Sequence, residues 1–322
     1  MPTPISIVVP CYRSEESLPI LYEQLTNVLH RAGREFELIL VDDSSPDGTW
    51  GVIQKLASHH GNIRGMKMIR NFGQHNALLC GIREAQYPII VTMDDDLQHP
   101  PEEVLPLVEK LECGYDVVYG TPAKESHGLF RDFASRLIKW TLAGVMGTRD
   151  AQNVSAFRAF RTPMRQAFAD YRGPYVSIDV LLSWGAKKFV AVKVENPARK
   201  FGTSNYTFRK LVTHAINIMT GFSTLPLKIA SFAGFASFLF GLAVLVWVLV
   251  RYFVNGHNVP GFAFLASVIA IFSGVQLFAL GVFGEYLGRI HVRTLDRPSY
   301  IVEFWTNPQV REEEHRSAAK MS

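Results

Sequence analysis

The chain is poor in cysteine. Its 322 residues include three, Cys11, Cys80 and Cys113, none at Cys-x-x-Cys or other metal-ligand spacing. That argues against a disulfide framework and a cysteine metal site, and predicts reduced, mostly buried thiols in a cytosolic compartment. No long block of Lys or Arg accompanies the net charge of +4. Nucleic acid is therefore a weaker expectation than an anionic membrane surface or a phosphate ligand. The opening residues show no charged n-region followed by an apolar h-region, so no signal peptide is expected. A Gly-rich phosphate loop with a following Lys is missing, and so is a Ser-His-Asp set at recognisable spacing. Two sequons, Asn153-Val154-Ser155 and Asn205-Tyr206-Thr207, would stay unmodified in a cytosolic domain.

Apolar residues are plentiful, at 48% of the chain, but unevenly spread. Up to about residue 200, strand-like runs alternate with helix-like ones. Ile5–Val9, Phe36–Val41, Gly65–Ile69, Ile89–Met93 and Val117–Tyr119 read as strands. A helix is expected from near Ser14, as its N-cap with Ser17 the weaker choice, to about Arg31, with Leu18, Leu21, Leu25, Val28 and Leu29 on one face. Others end at Leu56 or cover Asn76–Ala85 and Pro101–Leu111. This order predicts an α/β fold whose mostly parallel sheet is covered by helices on both faces. Ligands of such sheets sit beyond the carboxyl ends of the strands. Pro10, Asp42-Asp43 and Asp94-Asp95-Asp96 all fall there.

The second half changes character. Ile229–Val254 and Phe262–Phe283 each exceed the roughly 20 residues that span a hydrocarbon core. Trp247, Tyr252 and Tyr286 suit interfacial positions. The link Asn255–Gly261 holds no Lys or Arg, whereas Lys228 precedes the first run and Arg289, Arg293 and Arg297 follow the second. Positive flanks face the cytoplasm, which puts both termini there. Tyr206–Met219 mixes Arg209, Lys210 and His214 with Phe208, Leu211, Val212, Ile216 and Met219. It reads as an amphipathic helix on the membrane surface, with a soluble core helix as the competitor. The expected parts are 1–205, a cytosolic domain; 206–228, a juxtamembrane segment; 229–288, a membrane hairpin; and 289–322, a cytosolic tail.

The chemistry concentrates in Ile89–Gln98. Asp94 and Asp96 are expected on one face of extended backbone and Asp95 on the other, which makes Asp95 the dispensable member. Two converging carboxylates repel unless a hard cation lies between them, and oxygen ligands suit Mg²⁺ or Mn²⁺. Such a cation usually shares its remaining positions with phosphates. The alternative is a solvated acidic turn. Asp42 or Asp43 could accept the imide N–H of uracil or ring N–H groups of guanine, or could simply build the turn Asp42–Gly48. The loop Arg70–Asn76 could offer backbone N–H groups and the Arg70 guanidinium to phosphate. Together these imply transfer from a diphosphate leaving group with a metal as Lewis acid.

Three blocks carry a resemblance: Val8-Val9-Pro10-Cys11-Tyr12, Val41–Thr49 and Met93–Glu102. They resemble the family-2 glycosyltransferases of GT-A fold. Arg70–His75, Phe201–Tyr206 and Gly284–Ile290, with the two apolar runs, narrow this to the polyprenyl-phosphate glycosyltransferases, the bacterial two-span members above all. By that resemblance Asp94, Asp96 and Gln98 would hold the metal and donor diphosphate, with Asp96 counted as catalytic. Pro10, Tyr12 and Asp43 would line the nucleotide, with Asp42 and Asp95 beside them. Arg70, Arg131, Arg199 and Ser204 would meet phosphate groups and the acceptor. Asp150 is the candidate acceptor-side carboxylate and Asp179 the second.

The chain departs from the family pattern by reading Tyr12-Arg13-Ser14 where relatives carry Tyr-Asn-Glu. A donor-contacting glutamate is missing or replaced by Glu15 or Glu16, which leaves the nucleotide open among UDP, GDP and dTDP. The implied partners are a nucleotide sugar, undecaprenyl phosphate, the bilayer of a bacterial inner membrane and further copies of the chain, as a tetramer. Gly234, Gly241 and Gly274 would permit close helix packing. A polysaccharide synthase would need more spans and a Gln-x-x-Arg-Trp motif, which the chain lacks. A non-catalytic sugar-nucleotide sensor or membrane scaffold is the other competitor.

Overall fold

The computed structural model describes residues 2–122, 154–173, 176–195, 220–255 and 261–306. Arg131, Asp150, Arg199 and Ser204 lie outside the described residues, as does the candidate amphipathic segment 206–219.

Among the described residues eight strands form one sheet: β1 (Ile5–Cys11), β2 (Phe36–Asp42), β3 (Ile63–Met68), β4 (Ile89–Thr92), β5 (Val117–Pro122), β6 (Arg158–Arg161), β7 (Phe189–Val194) and β8 (Val302–Trp305). Their order is β7-β5-β6-β4-β1-β2-β3-β8. The central block β4-β1-β2-β3 is parallel, as the alternating pattern predicts. Antiparallel β6 sits between β4 and β5, and antiparallel β8 closes the β3 edge, so the whole sheet is mixed.

Helices cover both faces. Alternate residues Ile5, Ile7, Val9, Leu38, Leu40 and Val91 share a core with α1 (Ser17–Arg31) and α4 (Val104–Glu112). The intervening Val8, Ile39 and Val41 face α3 (Gln74–Glu84). There Gly81 lets the helix lie so near the sheet that a Cβ would overlap Val8. Between β2 and β3 lies α2 (Thr49–His59), and α5 (Ile178–Ser183) precedes β7. The first helix starts at Ser17, not at Ser14, and Ser14 does not cap it. The Ser14 hydroxyl is used elsewhere.

Two compact units divide the chain: residues 1–212 with 297–322, and residues 213–296. The second contains α6 (Leu225–Asn255) and α7 (Phe262–Thr294). Both include stretches long and apolar enough to cross a membrane, Leu225–Arg251 and Ile271–Thr294. The first helix begins ahead of residue 229 because Leu225 N–H donates to Ser223 Oγ (3.1 Å) and Pro226 fits its first turn. Within this hairpin Gly241 packs against the Phe272 ring, whereas Gly234 and Gly274 face open space.

After α7 the chain rejoins the first unit. The segment read as a tail supplies β8, which pairs Trp305 with Met66 and Val302 with Met68. Thr306 continues the join, its hydroxyl accepting from Gly65 N–H at 2.9 Å and its N–H donating to Gly65 O at 3.0 Å. Ser299 Oγ donates to Gly173 O (3.2 Å), and the Arg83 guanidinium lies 5.6 Å from the Tyr300 ring centre.

Candidate active site

The carboxyl ends of β1, β2 and β4 lie side by side, with Cys11 level with Asp42 and Val8 level with Thr92. Each of the three loops that follow holds a non-glycine residue in the left-handed region: Arg13 (φ 60°), Ser44 (φ 57°) and Leu97 (φ 59°). Such backbone costs free energy for an L-residue and collects at functional sites.

Asp43 binds the neighbouring loop. Its two oxygens accept from Phe72 N–H (2.7 Å) and Gly73 N–H (2.8 Å). Gly73, at φ 92°, then opens α3. Burial pushes the Asp43 carboxyl up to about 6, against the pull of those two N–H donors. Asp42 is fully buried. Its Oδ1 accepts from Ser45 N–H (2.9 Å), and its Oδ2 has no hydrogen-bond partner among the described residues. Burial raises this carboxyl too. Asp43 therefore builds the crevice wall, while Asp42 keeps an oxygen that a donor group could satisfy. Arg70 is exposed, with its guanidinium 4.6 Å from the Phe72 ring centre.

The triplet after β4 works differently from the strand-alternation expectation. Asp94 Oδ1 accepts from Gln74 Nε2 (2.6 Å) at the start of α3, and Asp96 Oδ1 accepts from Gln98 N–H (3.0 Å). Asp95 Oδ2 accepts from Tyr12 N–H (3.2 Å) and from the Ser14 hydroxyl. Asp95, expected to be the dispensable member, ties the β4 loop to the β1 loop. The strand ends at Thr92 and the chain turns at Leu97, so period-two alternation no longer applies to the triplet. Ser14 Oγ also accepts from Tyr12 N–H (2.9 Å), which explains its absence from the helix cap. Glu15 Oε2 accepts from Gly48 N–H (3.0 Å) at the head of α2, where a carboxylate is favoured. That contact commits Glu15 to α2, while Glu16 is exposed. Pro10 is buried, and Tyr12 is exposed at the rim.

Among the described residues, no three His, Cys, Asp or Glu side chains gather closely enough to hold a metal alone. Asp94, Asp96 and Gln98 offer oxygen donors only, which fits Mg²⁺ or Mn²⁺ completed by oxygens of a bound molecule.

Residues 6–171 match the family described as Glycosyl transferase family 2. The chain belongs to that family. It is a glycosyltransferase of GT-A fold. It is 35% identical over 302 residues, 93% of this chain and 92% of the relative, to the undecaprenyl-phosphate 4-deoxy-4-formamido-L-arabinose transferase of Pectobacterium carotovorum subsp. carotovorum (strain PC1). The protein of the same name from Photorhabdus laumondii subsp. laumondii is also 35% identical, over 93% of both chains. Among solved structures, glucosyl-3-phosphoglycerate synthase from Mycobacterium tuberculosis, in complex with Mn²⁺, UDP and phosphoglyceric acid, covers 68% of this chain and 76% of its own. It aligns with 19% identity and a TM-score of 0.49.

Several residues of the transferase site escaped the sequence reading. Gln74 and Ser14 hold Asp94 and Asp95; the sequence marks them as part of a loop and as a helix cap, not as partners of these carboxylates. The His99 ring lies 4.9 Å from the Phe157 ring, and its buried Nδ1 has no hydrogen-bond partner among the described residues. Burial lowers its pKa, partly offset by Asp96, which favours neutral imidazole. Asp179, read as a catalytic candidate, is buried and ion-paired with Arg158.

Proposed function

We propose that this glycosyltransferase moves a sugar from a nucleotide sugar, UDP-linked in our reading, to undecaprenyl phosphate or a related polyprenyl phosphate, with inversion. The supporting observation is the joining, in one chain, of an oxygen-rich crevice at the ends of β1, β2 and β4 to two helices of membrane length. A lipid phosphate meets both requirements. In this reading the chain crosses a bacterial inner membrane twice. Residues 1–205 form the cytoplasmic catalytic domain, 206–228 a juxtamembrane segment, 229–288 the hairpin and 289–322 a cytoplasmic end that returns to the sheet. Copies would associate through Gly234 and Gly274, which open away from the hairpin.

Asp94, Asp96 and Gln98 would hold Mg²⁺ or Mn²⁺. When bound, the ion supplies Lewis-acid neutralisation of the leaving diphosphate. Asp42, Pro10 and Tyr12 would meet the nucleotide, with Asp43 keeping the Phe72–Gly73 wall in place. Asp95 ties the β4 loop to the β1 loop. Arg70, Arg131, Arg199 and Ser204 would receive phosphate oxygens. The acceptor needs no strong base, because a phosphate monoester has a second pKa of about 6 and is largely dianionic at neutral pH. Alignment and charge neutralisation are what the residues must provide. One in-line displacement at the anomeric carbon follows, with Asp150 orienting the acceptor. The discriminating experiment is a mass-spectrometric screen of UDP-, GDP- and dTDP-sugars against undecaprenyl phosphate, with Asp96→Ala as the paired variant. Transfer should fall by about 10²–10³-fold in the variant. Sugar-nucleotide binding without any transfer would instead favour a sensor or scaffold.

A further inference from the structure

A row of buried side chains crosses the sheet just beneath the carboxylate triplet. Pairing sets Thr92 of β4 opposite Arg158 of β6, and Arg158 opposite Tyr119 of β5. Residues paired in this way point to the same face. Arg158 is 1% exposed. Its guanidinium pairs with Asp179 in the first turn of α5, itself buried. Arg158 Nε also donates to Thr92 Oγ1 (3.1 Å), and Thr92 Oγ1 donates to Ala156 O (2.8 Å). One buried cation therefore joins the end of β4, the segment entering β6, and α5. The preceding residue of α5 approaches α3, with Ile178 N–H donating to His75 Nδ1 (3.4 Å). Adjacent Gln74 holds Asp94. Asp94 is thus reached from both directions, through Thr92 along its own chain and through Gln74 from α3.

We propose that the Arg158–Asp179 pair is a positioning device for glycosyl transfer, fixing the end of β4 and the head of α3 so that Asp94 and Asp96 converge. This rests on the proposed metal-assisted transfer at those carboxylates. The physical argument is one of specificity. Replacing a buried ion pair by apolar residues of similar size is often neutral or stabilising, so stability alone is a weak reason for the pair. A bonded polar network in a low-dielectric interior does fix geometry. Displacement of about 1 Å at reacting groups can cost about 10²-fold in rate.

The test uses the full chain in detergent, with Mn²⁺ and UDP as probes. Bound Mn²⁺ is read by electron paramagnetic resonance, and transfer is read separately. The double variant Arg158→Met with Asp179→Leu should unfold within a few degrees of wild type. It should bind Mn²⁺ about 10-fold to 100-fold more weakly in the presence of UDP, as other variants behind metal ligands do, and transfer correspondingly more slowly. Arg158→Lys keeps the charge but loses the guanidinium fork, and should not rescue. A folded double variant with wild-type Mn²⁺ affinity and rate overturns the proposal. Should it not fold, Asp179→Asn decides, since it keeps shape and removes charge; wild-type values there overturn it equally. Wild-type protein that transfers nothing would fail the functional reading, whereas wild-type transfer with unaffected variants fails only the positioning role.

Discussion

The two units of this glycosyltransferase use the same residue types to opposite ends. In the sheet unit, Leu and Val disappear: Val8, Val9, Leu38, Leu40 and Val91 are wholly enclosed by helices on both faces. In the hairpin the large apolar side chains face outward, with Phe232 at 74% and Phe253 at 81% exposure. A water-facing surface of that kind would be a large liability, whereas hydrocarbon removes it. The difference teaches where each unit's stability resides. The sheet unit is held by burial of its own surface. The hairpin's own packing leaves those side chains exposed, so their burial has to come from outside the unit. Leu40→Ala and Leu245→Ala should separate the two. The first opens a cavity in the core and should destabilise by about 2–5 kcal/mol. The second exchanges one lipid-facing side chain for another and should change membrane stability by less than about 1 kcal/mol. Urea unfolding followed by tryptophan fluorescence in detergent measures both. Equal losses would mean that Leu245 packs against protein, and the contrast would fail.

Legibility in the sequence divides along similar lines. β1, β2 and β4 were readable because each is a mainly apolar run, ended by Pro10 in the first and by carboxylates in the other two, and the hairpin because its composition is extreme. Asp42, Asp43, Asp94 and Asp96 were placed at one crevice for the same reason, and the structure does bring their strand ends together. What failed was anything set by distant partners. The β6 sequence Arg-Ala-Phe-Arg reads as exposed until Asp179, 21 positions on, neutralises Arg158. Asp95 looked dispensable because alternation was extended past the point where the ladder stops. β8 was missed because Val-Glu-Phe-Trp is four residues long and its partner strand lies more than 200 positions back.

That last strand follows the point where the chain returns from the hairpin unit, so loosening it sharpens the contrast. Gly65 of β3 has no room for a side chain, because a Cβ there would meet Ile53 Cγ2 and Thr306 Cγ2. Gly65→Ala should push β8 from the sheet edge and cost about 1–3 kcal/mol by overpacking. Hydrogen exchange should show loss of protection at the Gly65 and Thr306 amides, which bond to Thr306 Oγ1 and Gly65 O. The hairpin amides should be unaffected. Protection lost in both units would mean that β8 supports the hairpin as well as the sheet.

The smallest effect concerns charge within the sheet unit. Asp43 has its carboxyl pushed up to about 6 from an ordinary 3.8, chiefly by burial. The folded state therefore holds this proton more tightly than the unfolded chain does. The sign follows: Asp43 contributes stability that is fully present below about pH 4 and is lost as pH rises through about 6. Asp42, Asp95 and Asp179 are shifted in the same direction by burial, so the wild-type slope alone would mix four carboxylates. Asp43→Asn isolates one of them. In the absence of nucleotide, the difference in urea midpoint between wild type and variant should change between about pH 4 and pH 6 and level off above. A difference that stays constant across that range would mean that the two N–H groups of Phe72 and Gly73 outweigh burial. Asp43 would then be an ordinary ionised carboxylate in the unliganded enzyme.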